Sequence, residues 1–314
     1  FRRCSSDLVM VALLGGFLVI KEKVMVGDIQ AFFQYIRNFT QPIQQIAQVT
    51  NMLQSSAAAA ERVFEFLDEE EEDQTAENPV DITTIEGNVE ARHVAFGYQP
   101  EHLIIHDFSG DVKAGQKVAI VGPTGAGKTT MIKLLMRFYD VNSGEILIDG
   151  HNIKDFNRIQ LRELFGMVLQ ETWLFHGTIM ENIRYGRLDA TDEEVIAAAK
   201  AAHAHHFIMS QPGGYQMVLN EETSNISQGQ KQLLTIARAI LADNKILILD
   251  EATSSVDTRT EERIQAAMDN LMKGRTSFVI AHRLSTIRDA DLILVMKDGD
   301  IIEQGKHQIG RAHV

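Results

Sequence analysis

Two apolar segments with different periodicity open the chain. Residues 9–20 form an almost unbroken apolar run, and Lys21 follows as the start of a polar turn. From Ile29 to Leu53 the apolar residues recur every three or four positions, which is the period of an amphipathic helix. We therefore predict one long helix that begins with Asp28 as its N-cap and ends near Leu67.

After residue 88 the pattern changes to short apolar segments that alternate with helical patterns and glycine turns. This alternation predicts an α/β fold with a mainly parallel sheet. The best strand candidates are Val118–Val121, Phe165–Leu169, Ile246–Leu249, Ser277–Ile280 and Leu292–Val295. Several of them end at a polar residue, where the chemistry of such sheets is usually found.

The long helix carries an amide-rich face opposite its apolar residues. Arg37 is the only charged residue of that helix after its start and before Glu61. The amides are Gln30, Gln34, Asn38, Gln41, Gln44, Gln45 and Gln48. A helix from Ile29 to Leu53 would be about 37 Å long, enough to cross a bilayer. We interpret it as a membrane helix that lines a pathway and bends at Pro42, with a soluble amphipathic helix as the alternative.

The run at residues 9–20 is shorter than the roughly 20 residues that cross a bilayer. The end of a truncated membrane helix would explain its length, and a buried core helix is the alternative. Residues 309–314 read like a translated sequencing adapter, and residues 1–8 resemble its reverse complement. We expect both flanks to be non-native, although ordinary variable termini remain an alternative.

An acidic segment separates the two parts of the chain. Residues 68–73 are all Asp or Glu, and polar residues follow. A block of like charges is usually a solvated linker, so we predict a linker over 68–87 and a second domain over 88–308. The net charge of −13 argues against a nucleic-acid partner, because such proteins usually carry a basic face. One cysteine excludes an internal disulfide.

Residues 122–129 match the P-loop pattern G-x-x-x-x-G-K-[ST]. The predicted strand Val118–Val121 precedes the motif and a helix predicted over Lys128–Phe138 follows it, so bound phosphates would lie at a helix N-terminus. Lys128 would reach the phosphates, and Thr129 would bind Mg²⁺. The predicted ATP-binding residues here are Gly122, Pro123, Thr124, Gly125, Ala126, Gly127, Lys128, Thr129 and Thr130.

Two carboxylates follow the strand Ile246–Leu249. Asp250 at the strand tip suits Mg²⁺, and Glu251 is placed to orient or deprotonate an attacking water. Taken alone, an apolar strand ending in two acids is usually structural. Downstream of a P-loop it indicates the second nucleotide motif.

The segment Asn225-Ile226-Ser227-Gln228-Gly229-Gln230, with a helix predicted over Leu233–Leu241, resembles the signature motif of ATP-binding cassette (ABC) proteins. Taken alone it could be a helix capped by Ser227 or Asn225. The resemblance covers almost the whole chain. It implies an ABC nucleotide-binding domain, an α/β P-loop NTPase with a helical subdomain, preceded by the last one or two membrane helices of an exporter half-transporter.

The same resemblance assigns further residues. Tyr98 matches the aromatic residue that stacks on adenine, Gln170 the Q-loop glutamine that contacts Mg²⁺, Asp257 the D-loop and His282 the switch histidine. Taken singly, Tyr98 could be a surface ring, Gln170 a loop amide and His282 a core histidine. Their order along the chain favours the family.

The resemblance also implies the composition of the site. Catalysis would use Glu251, His282, Lys128 and Gln170, and Mg²⁺ would be held by Thr129, Gln170 and Asp250. Ser227, Gly229, Gln230 and Asp257 would act in trans, from a second chain.

This chain departs from the usual pattern of the family at two places. Ile226 and Gln228 stand where Leu and Gly are usual, and residues 220–223 read Asn-Glu-Glu-Thr instead of Gly-Glu-Arg-Gly. These changes resemble one half of a heterodimeric exporter, although a homodimer remains possible.

The family implies a multi-pass cell-membrane protein with its ATP-binding domain in the cytoplasm. It would export a small molecule, lipid or peptide. A soluble ABC ATPase and a non-hydrolysing partner subunit are the alternatives. We interpret His203, His205 and His206 as a solvated helix face, and Trp173 and Phe175 as packing residues that contact the membrane domain.

Overall fold

A computed structural model of the protein describes residues 2–99, 102–169, 172–220, 225–250, 258–281 and 284–306. The chain divides into two compact units, Phe1–Asp73 and Gln74–Val314.

The first unit consists of two helices, α1 (Arg2–Ile20) and α2 (Val26–Leu67). The prediction of one long helix is confirmed, and Pro42 lies inside it. The prediction of Asp28 as N-cap is wrong, because Met25 occupies that position. Asp28 lies three residues further on, and its Oδ2 accepts the Met25 N–H at 3.0 Å. Its carboxylate still satisfies a free donor at the helix start, but from within the first turn.

Apolar side chains of the first unit are largely exposed. In α1, Leu13 and Leu14 are 71% and 63% exposed, so the run at residues 9–20 does not form a buried core within this unit. No residue in the described structure of α2 is buried. Among the helices of the described residues, none combines the length and the apolar character that a membrane span requires.

The second unit is an α/β structure. Its strands are β1 (Val89–Phe96), β2 (Ile105–Val112), β3 (Lys117–Val121), β4 (Ser143–Ile148), β5 (His151–Asn152), β6 (Phe165–Val168), β7 (Gly177–Thr178), β8 (Val218–Leu219), β9 (Ile246–Asp250), β10 (Thr276–Ile280), β11 (Leu292–Lys297) and β12 (Asp300–Gly305). Its helices are α3 (Lys128–Leu135), α4 (Arg158–Glu163), α5 (Ile179–Arg184), α6 (Asp192–Ala201), α7 (His205–Met209), α8 (Gln228–Ala242), α9 (Thr258–Met272) and α10 (Leu284–Arg288).

Six of the described strands form the central sheet, in the order β12-β11-β3-β10-β9-β6. All neighbours are parallel except β11 and β12. The five predicted strands are all present in it, which confirms the mainly parallel sheet. Residues of β3, β9 and β10 are almost fully buried because helices cover both faces of a parallel sheet.

The second unit also contains an antiparallel sheet that the hydrophobic pattern of the sequence did not predict. Within the described part of the chain, β2, β1, β4 and β5 form an antiparallel sheet in that order. Its inner face joins β3 and α3 in one hydrophobic core. A second core packs α5, α6 and α7 against α8, which gives the helical subdomain between β6 and β9.

The unit boundary lies between Asp73 and Gln74, whereas the predicted linker extends to residue 87. Residues 74–87 belong to the second unit. The Ala76 N–H donates to Asn157 Oδ1 at 2.9 Å, and the Val80 N–H to the Asp155 carbonyl at 3.1 Å.

Candidate nucleotide-binding site

The loop of residues 122–127 lies at the carboxyl end of β3, in the middle of the central sheet. Helix α3 begins directly after it at Lys128, three residues shorter at its end than predicted. The Gly127 backbone is left-handed, with φ +97°, and caps the helix. Left-handed backbone favours glycine, and this turn aims the free N–H groups of α3 at the space above the sheet.

Gly122 lies in close contact with the neighbouring strand β11. A Cβ atom at this position would lie 2.2 Å from the Met296 carbonyl oxygen. The Gly299 N–H also donates to the Ala126 carbonyl at 3.2 Å. The shape of the loop is therefore constrained by β11 and the turn that follows it, as well as by the glycines of the loop.

We expect Gly122→Ala to lower the free energy of unfolding by about 3 kcal/mol, because the new methyl group overlaps backbone that cannot move away cheaply. ATP binding should fall together with stability. Thermal unfolding and isothermal titration with MgATP measure the two effects. Gly110→Ala is the matched control, since its Cβ would meet Ile301 only at 3.8 Å. Equal stability of the two variants would contradict the close approach.

Lys128 folds back over the loop. Its Nζ donates to the Gly122 carbonyl at 2.7 Å and to the Pro123 carbonyl at 3.0 Å. Burial lowers the pKa of the Lys128 ammonium, and the charge of Asp250 acts in the opposite direction. The ammonium group is thus placed at the loop, where phosphate oxygens would offer it stronger partners.

One cleft of about 420 Å³ brings together most of the predicted phosphate residues and two of the predicted metal residues, Thr129 and Asp250. It is lined by Ile104, Thr124, Gly125, Ala126, Gly127, Lys128, Thr129, Thr130, Asp250 and Ile280. The exposed Thr129 and the half-buried Asp250 offer a hydroxyl and a carboxylate on one cleft, while Thr130 is buried. Mg²⁺ in nucleotide sites takes one or two such oxygens and completes its shell with phosphates and water. The two residues therefore fit Mg²⁺.

Tyr98 lies in an aromatic cluster beside α3. Its ring contacts Phe96 and Tyr139 edge-on, with centroids 5.2 Å and 5.1 Å away. The Nζ of Lys133, on α3, lies 3.5 Å from the Tyr98 hydroxyl. Tyr98 is 46% exposed, so part of the ring is available for stacking. Its neighbour Gly97 has no room for a side chain, because a Cβ would lie 2.1 Å from the His102 carbonyl.

Ser227 caps α8, which confirms the predicted helix and one of its two candidate caps. Its hydroxyl accepts the Gln230 N–H at 3.3 Å, and its own N–H donates to Gln230 Oε1 at 2.9 Å. Ser227 and Gln228 are exposed and Gly229 is buried. Among the described residues that line the P-loop cleft, none comes from α8.

Comparison with known proteins supports one family. A family model described as ABC transporter matches residues 105–254. The "Fatty acid ABC transporter ATP-binding/permease protein" of Mycobacterium bovis is 55% identical over 299 residues, covering 95% of this chain and 47% of that protein. The chain belongs to the ABC transporter family.

Two further relatives extend the comparison. The "ATP-dependent lipid A-core flippase" of Syntrophus aciditrophicus is 42% identical, over 95% of this chain and 49% of that protein. A solved structure of a bacterial Atm1-family ABC exporter with ATP bound aligns with a TM-score of 0.73 and 39% identity, over 92% of this chain and 51% of that one. The chain thus spans about half the length of the relatives it matches, and its second unit has the ABC nucleotide-binding fold.

Four residues predicted for the ABC site, Gln170, Glu251, Asp257 and His282, lie outside the described residues. Their neighbours are described. Ile280, two residues before His282, pairs with Asp250, one residue before Glu251, at the edge of the sheet that carries the P-loop. The roles of these four residues stay predictions.

In this ABC domain the segment after Gln170 is attached along α8. Gln228 Nε2 donates to Thr172 Oγ1 at 3.2 Å, and Arg238 Nη1 donates to the Trp173 carbonyl at 3.2 Å. The fully buried Asn182 exchanges hydrogen bonds of 3.0 Å with both the N–H and the carbonyl of Phe175. Segment 172–175 is therefore bonded to α8 at Thr172 and Trp173 and to α5 at Phe175.

Sequence reasoning missed this connection, because the sequence gives no sign that Asn182 and Arg238 meet. Arg238 donates through Nε to the Asn182 carbonyl at 2.9 Å, and its guanidinium lies 5.2 Å from the Tyr185 ring. Phe175 packs on Tyr185, which confirms its prediction as a packing residue. Trp173 is 64% exposed, so its predicted contact with the membrane domain stays a prediction.

We expect Asn182→Ala to destabilise the domain by about 3 kcal/mol, because the Phe175 N–H and the Arg238 guanidinium lose a buried partner. The emission of Trp173, the single tryptophan of the chain, should change in the folded variant. Chemical unfolding followed by tryptophan fluorescence measures both effects. Asn270→Ala, which removes one partly buried hydrogen bond to the Ala201 carbonyl, is the control and should cost less. Equal losses would argue against the connection.

The three neighbouring histidines separate in the structure. His203 lies in the turn after α6, and His205 and His206 begin α7. His205 is half-buried, and its Nδ1 lies 2.8 Å from the hydroxyl of the buried Tyr215, so its ring packs on the helical subdomain and is not a fully solvated side chain. The prediction of a common solvated face is therefore wrong for His205, while His203 and His206 are exposed.

Proposed function

We propose that this chain is the ATP-hydrolysing half of an ABC exporter, completed by a second half-transporter chain. The observation that carries the proposal is the single cleft that joins the P-loop, Lys128, Thr129 and Asp250. An ABC transporter ATP-binding/permease protein at 55% identity, an ATP-dependent flippase at 42% and the structure of an ABC exporter at 39% support the same function.

Binding in cis would use groups already in position. The N–H groups at the start of α3 and the Lys128 ammonium would hold the phosphates, which a helix N-terminus favours through its dipole. The exposed part of the Tyr98 ring would stack on adenine, with the Lys133 Nζ 3.5 Å from the tyrosine hydroxyl. Mg²⁺ held by Thr129, Asp250 and Gln170 would neutralise charge on the phosphates.

The site would be closed in trans. Ser227, the Gly229 backbone, Gln230 and Asp257 of the second chain would contact the γ-phosphate side of the nucleotide. The exposed, capped start of α8 supports this arrangement, because it offers helix N–H groups to another molecule. Two chains arranged head to tail would each complete the site of the other.

For hydrolysis, Glu251 would accept a proton from the attacking water. Lys128 and His282 would stabilise the charge that develops on the γ-phosphate, and Gln170 would help to position the water. Fixed donors aimed at developing charge supply most of the rate enhancement in such transfers.

Export would couple this cycle to the first unit. We propose that residues 1–67 belong to a membrane domain, that 68–87 connect it to the ATP-binding domain over 88–308, and that this domain faces the cytoplasm. The word "permease" in the name of the 55% relative supports the membrane assignment. A heterodimer is slightly favoured over a homodimer by Ile226 and Gln228 in the signature. The named relatives differ in substrate, fatty acid in one and lipid A-core in the other.

Complementation between two inactive variants tests the proposal. Lys128→Met disables the cis half of the site and Ser227→Ala the trans half. Each variant alone, in detergent micelles with MgATP, should release little phosphate. Their mixture should regain part of the wild-type rate, since mixed dimers contain one intact composite site.

A wild-type chain that binds MgATP but hydrolyses it only with a different half-transporter would identify a heterodimer. In that case the two variants are each mixed with the second chain. Failure of the wild-type chain to bind MgATP would refute the proposal.

A further inference from the structure

Phe96, Tyr98 and Tyr139 form a cluster in which each aromatic ring contacts the other two. The ring centroids are 5.2 Å apart for Phe96 and Tyr98, 5.1 Å for Tyr98 and Tyr139, and 5.5 Å for Phe96 and Tyr139. Phe96 belongs to the core of the second unit, whereas Tyr98 and Tyr139 are 46% and 42% exposed. The buried ring thus supports two rings that remain partly open.

The tilt of the Tyr98 ring depends on both neighbours. Its plane lies at 83° to the Phe96 ring and at 80° to the Tyr139 ring. Edge-to-face pairs of this kind are attractive beyond the area that they bury. Without the Tyr139 ring, Tyr98 would keep one aromatic neighbour among the described residues, and its side chain would have a wider choice of rotamers.

The segments that carry the two tyrosines are also joined through Asn142. The Gly97 N–H donates to Asn142 Oδ1 at 3.0 Å, and the Asn142 N–H donates to the Ala95 carbonyl at 3.0 Å. Gly97 is adjacent to Tyr98, and Asn142 follows closely after Tyr139. The contact between the two rings is therefore supported by backbone bonds, and it is not a chance meeting of two exposed side chains.

The aromatic cluster is connected to the elements that form the P-loop cleft. Helix α3 begins at the P-loop, and the Phe138 N–H, directly before Tyr139, donates to the Lys133 carbonyl of α3 at 2.9 Å. On the other side, Ile104 lines the cleft, and its N–H donates to the Phe96 carbonyl at 2.8 Å. The rings are thus held by the same elements that hold the phosphate loop.

We propose that Tyr139 is a positioning residue for the nucleotide base. It holds the Tyr98 ring in the orientation that stacks on adenine and does not itself contact the nucleotide. This inference rests on the proposed function, which assigns the stacking contact to Tyr98. A ring that is oriented before binding loses less rotational freedom when the base arrives, so the gain is tighter binding of MgATP.

A double-mutant cycle tests the proposal. The 314-residue chain is purified in a non-ionic detergent, and isothermal titration measures MgATP binding by the wild type, Tyr98→Leu, Tyr139→Leu and the double variant. We expect Tyr139→Leu to weaken binding by about 3- to 10-fold, the range that one aromatic pair supplies. Tyr98→Leu should weaken binding at least as much. The double variant should bind within about 2-fold of Tyr98→Leu, because Tyr139 acts only through Tyr98.

Three further variants locate the effect. Tyr139→Phe keeps the ring and should bind MgATP as tightly as the wild type. Phe138→Leu removes the adjacent exposed ring, which lies 4.9 Å from the Arg162 guanidinium, and is the matched control with unchanged affinity. Tyr139→Met has an apolar side chain without a ring and replaces Tyr139→Leu in the cycle if the leucine variant does not fold. Thermal unfolding without nucleotide shows which variants are folded.

Unchanged MgATP affinity in Tyr139→Leu or in Tyr98→Leu would overturn the proposal. So would a loss of the same size when Tyr139 is replaced in the Tyr98→Leu background, because Tyr139 would then act directly on the nucleotide or on the whole domain. An equal loss in Tyr139→Phe or Phe138→Leu would also contradict it. A wild type that binds no MgATP refutes the proposed function and this inference together, whereas the other results, with wild-type binding intact, judge the aromatic cluster alone.

Discussion

Replacing Lys128 with methionine is expected to lower the affinity of the chain for MgATP by about 100-fold or more. The Lys128 ammonium is held at the loop by the Gly122 and Pro123 carbonyls, at the cleft shared with Asp250. Each hydrogen bond to a charged group contributes about 1.5–3 kcal/mol, so the loss of two to phosphate accounts for this factor. Isothermal titration with MgATP measures it.

The Lys128→Met variant should keep the fold, because methionine has nearly the length and the apolar stem of lysine. Lys113→Met removes an exposed cation paired with Asp111 and is the matched control. It should bind MgATP as tightly as the wild type. Comparable losses in both variants would show that net charge, and not the position of the Lys128 ammonium, determines affinity.

Replacing Glu251 with glutamine is expected to reduce ATP hydrolysis by about 10²- to 10⁴-fold while ATP binding is kept. The amide has nearly the shape of the carboxylate but cannot accept a proton from water, and this range is typical of a lost general base. Phosphate release by the assembled pair and equilibrium MgATP binding measure the two parts separately.

Glu262→Gln, an exposed change on α9, is the control and should hydrolyse ATP at the wild-type rate. Hydrolysis at the wild-type rate by the Glu251 variant, with a competent partner, would contradict the role proposed for Glu251. Loss of ATP binding in that variant would instead indicate that Glu251 supports the nucleotide or its Mg²⁺.

The local part of the site could be predicted because its information lies in consecutive residues. A buried strand, a glycine loop and a helix are adjacent in sequence at residues 117–135, and each has a distinct pattern. The Ser227 cap was predictable for the same reason, since Ser227 and Gln230 form a capping box three residues apart.

Contacts between distant segments could not be predicted in this way. The antiparallel sheet pairs Val89 with both Val112 and Ile148, and a single sequence contains no signal for such register. Asn182 and Arg238 are separated by 56 positions, and each reads as an ordinary polar residue of a helix. The wrong N-cap prediction for Asp28 has a different cause. A carboxylate can accept a hydrogen bond from a free N–H group at a helix start either from the N-cap or from the third helical position.

The loop at residues 122–127 contacts β11 and the turn that follows β11. The Met296 carbonyl leaves no room for a side chain at Gly122, and the Gly299 N–H donates to the Ala126 carbonyl. A loop held in this way cannot change shape without disturbing the sheet. Nucleotide binding should therefore leave the backbone of the loop almost unchanged. In the proposed cycle, movement would then come from parts outside this loop, and α8 would move together with segment 172–175 because hydrogen bonds join them.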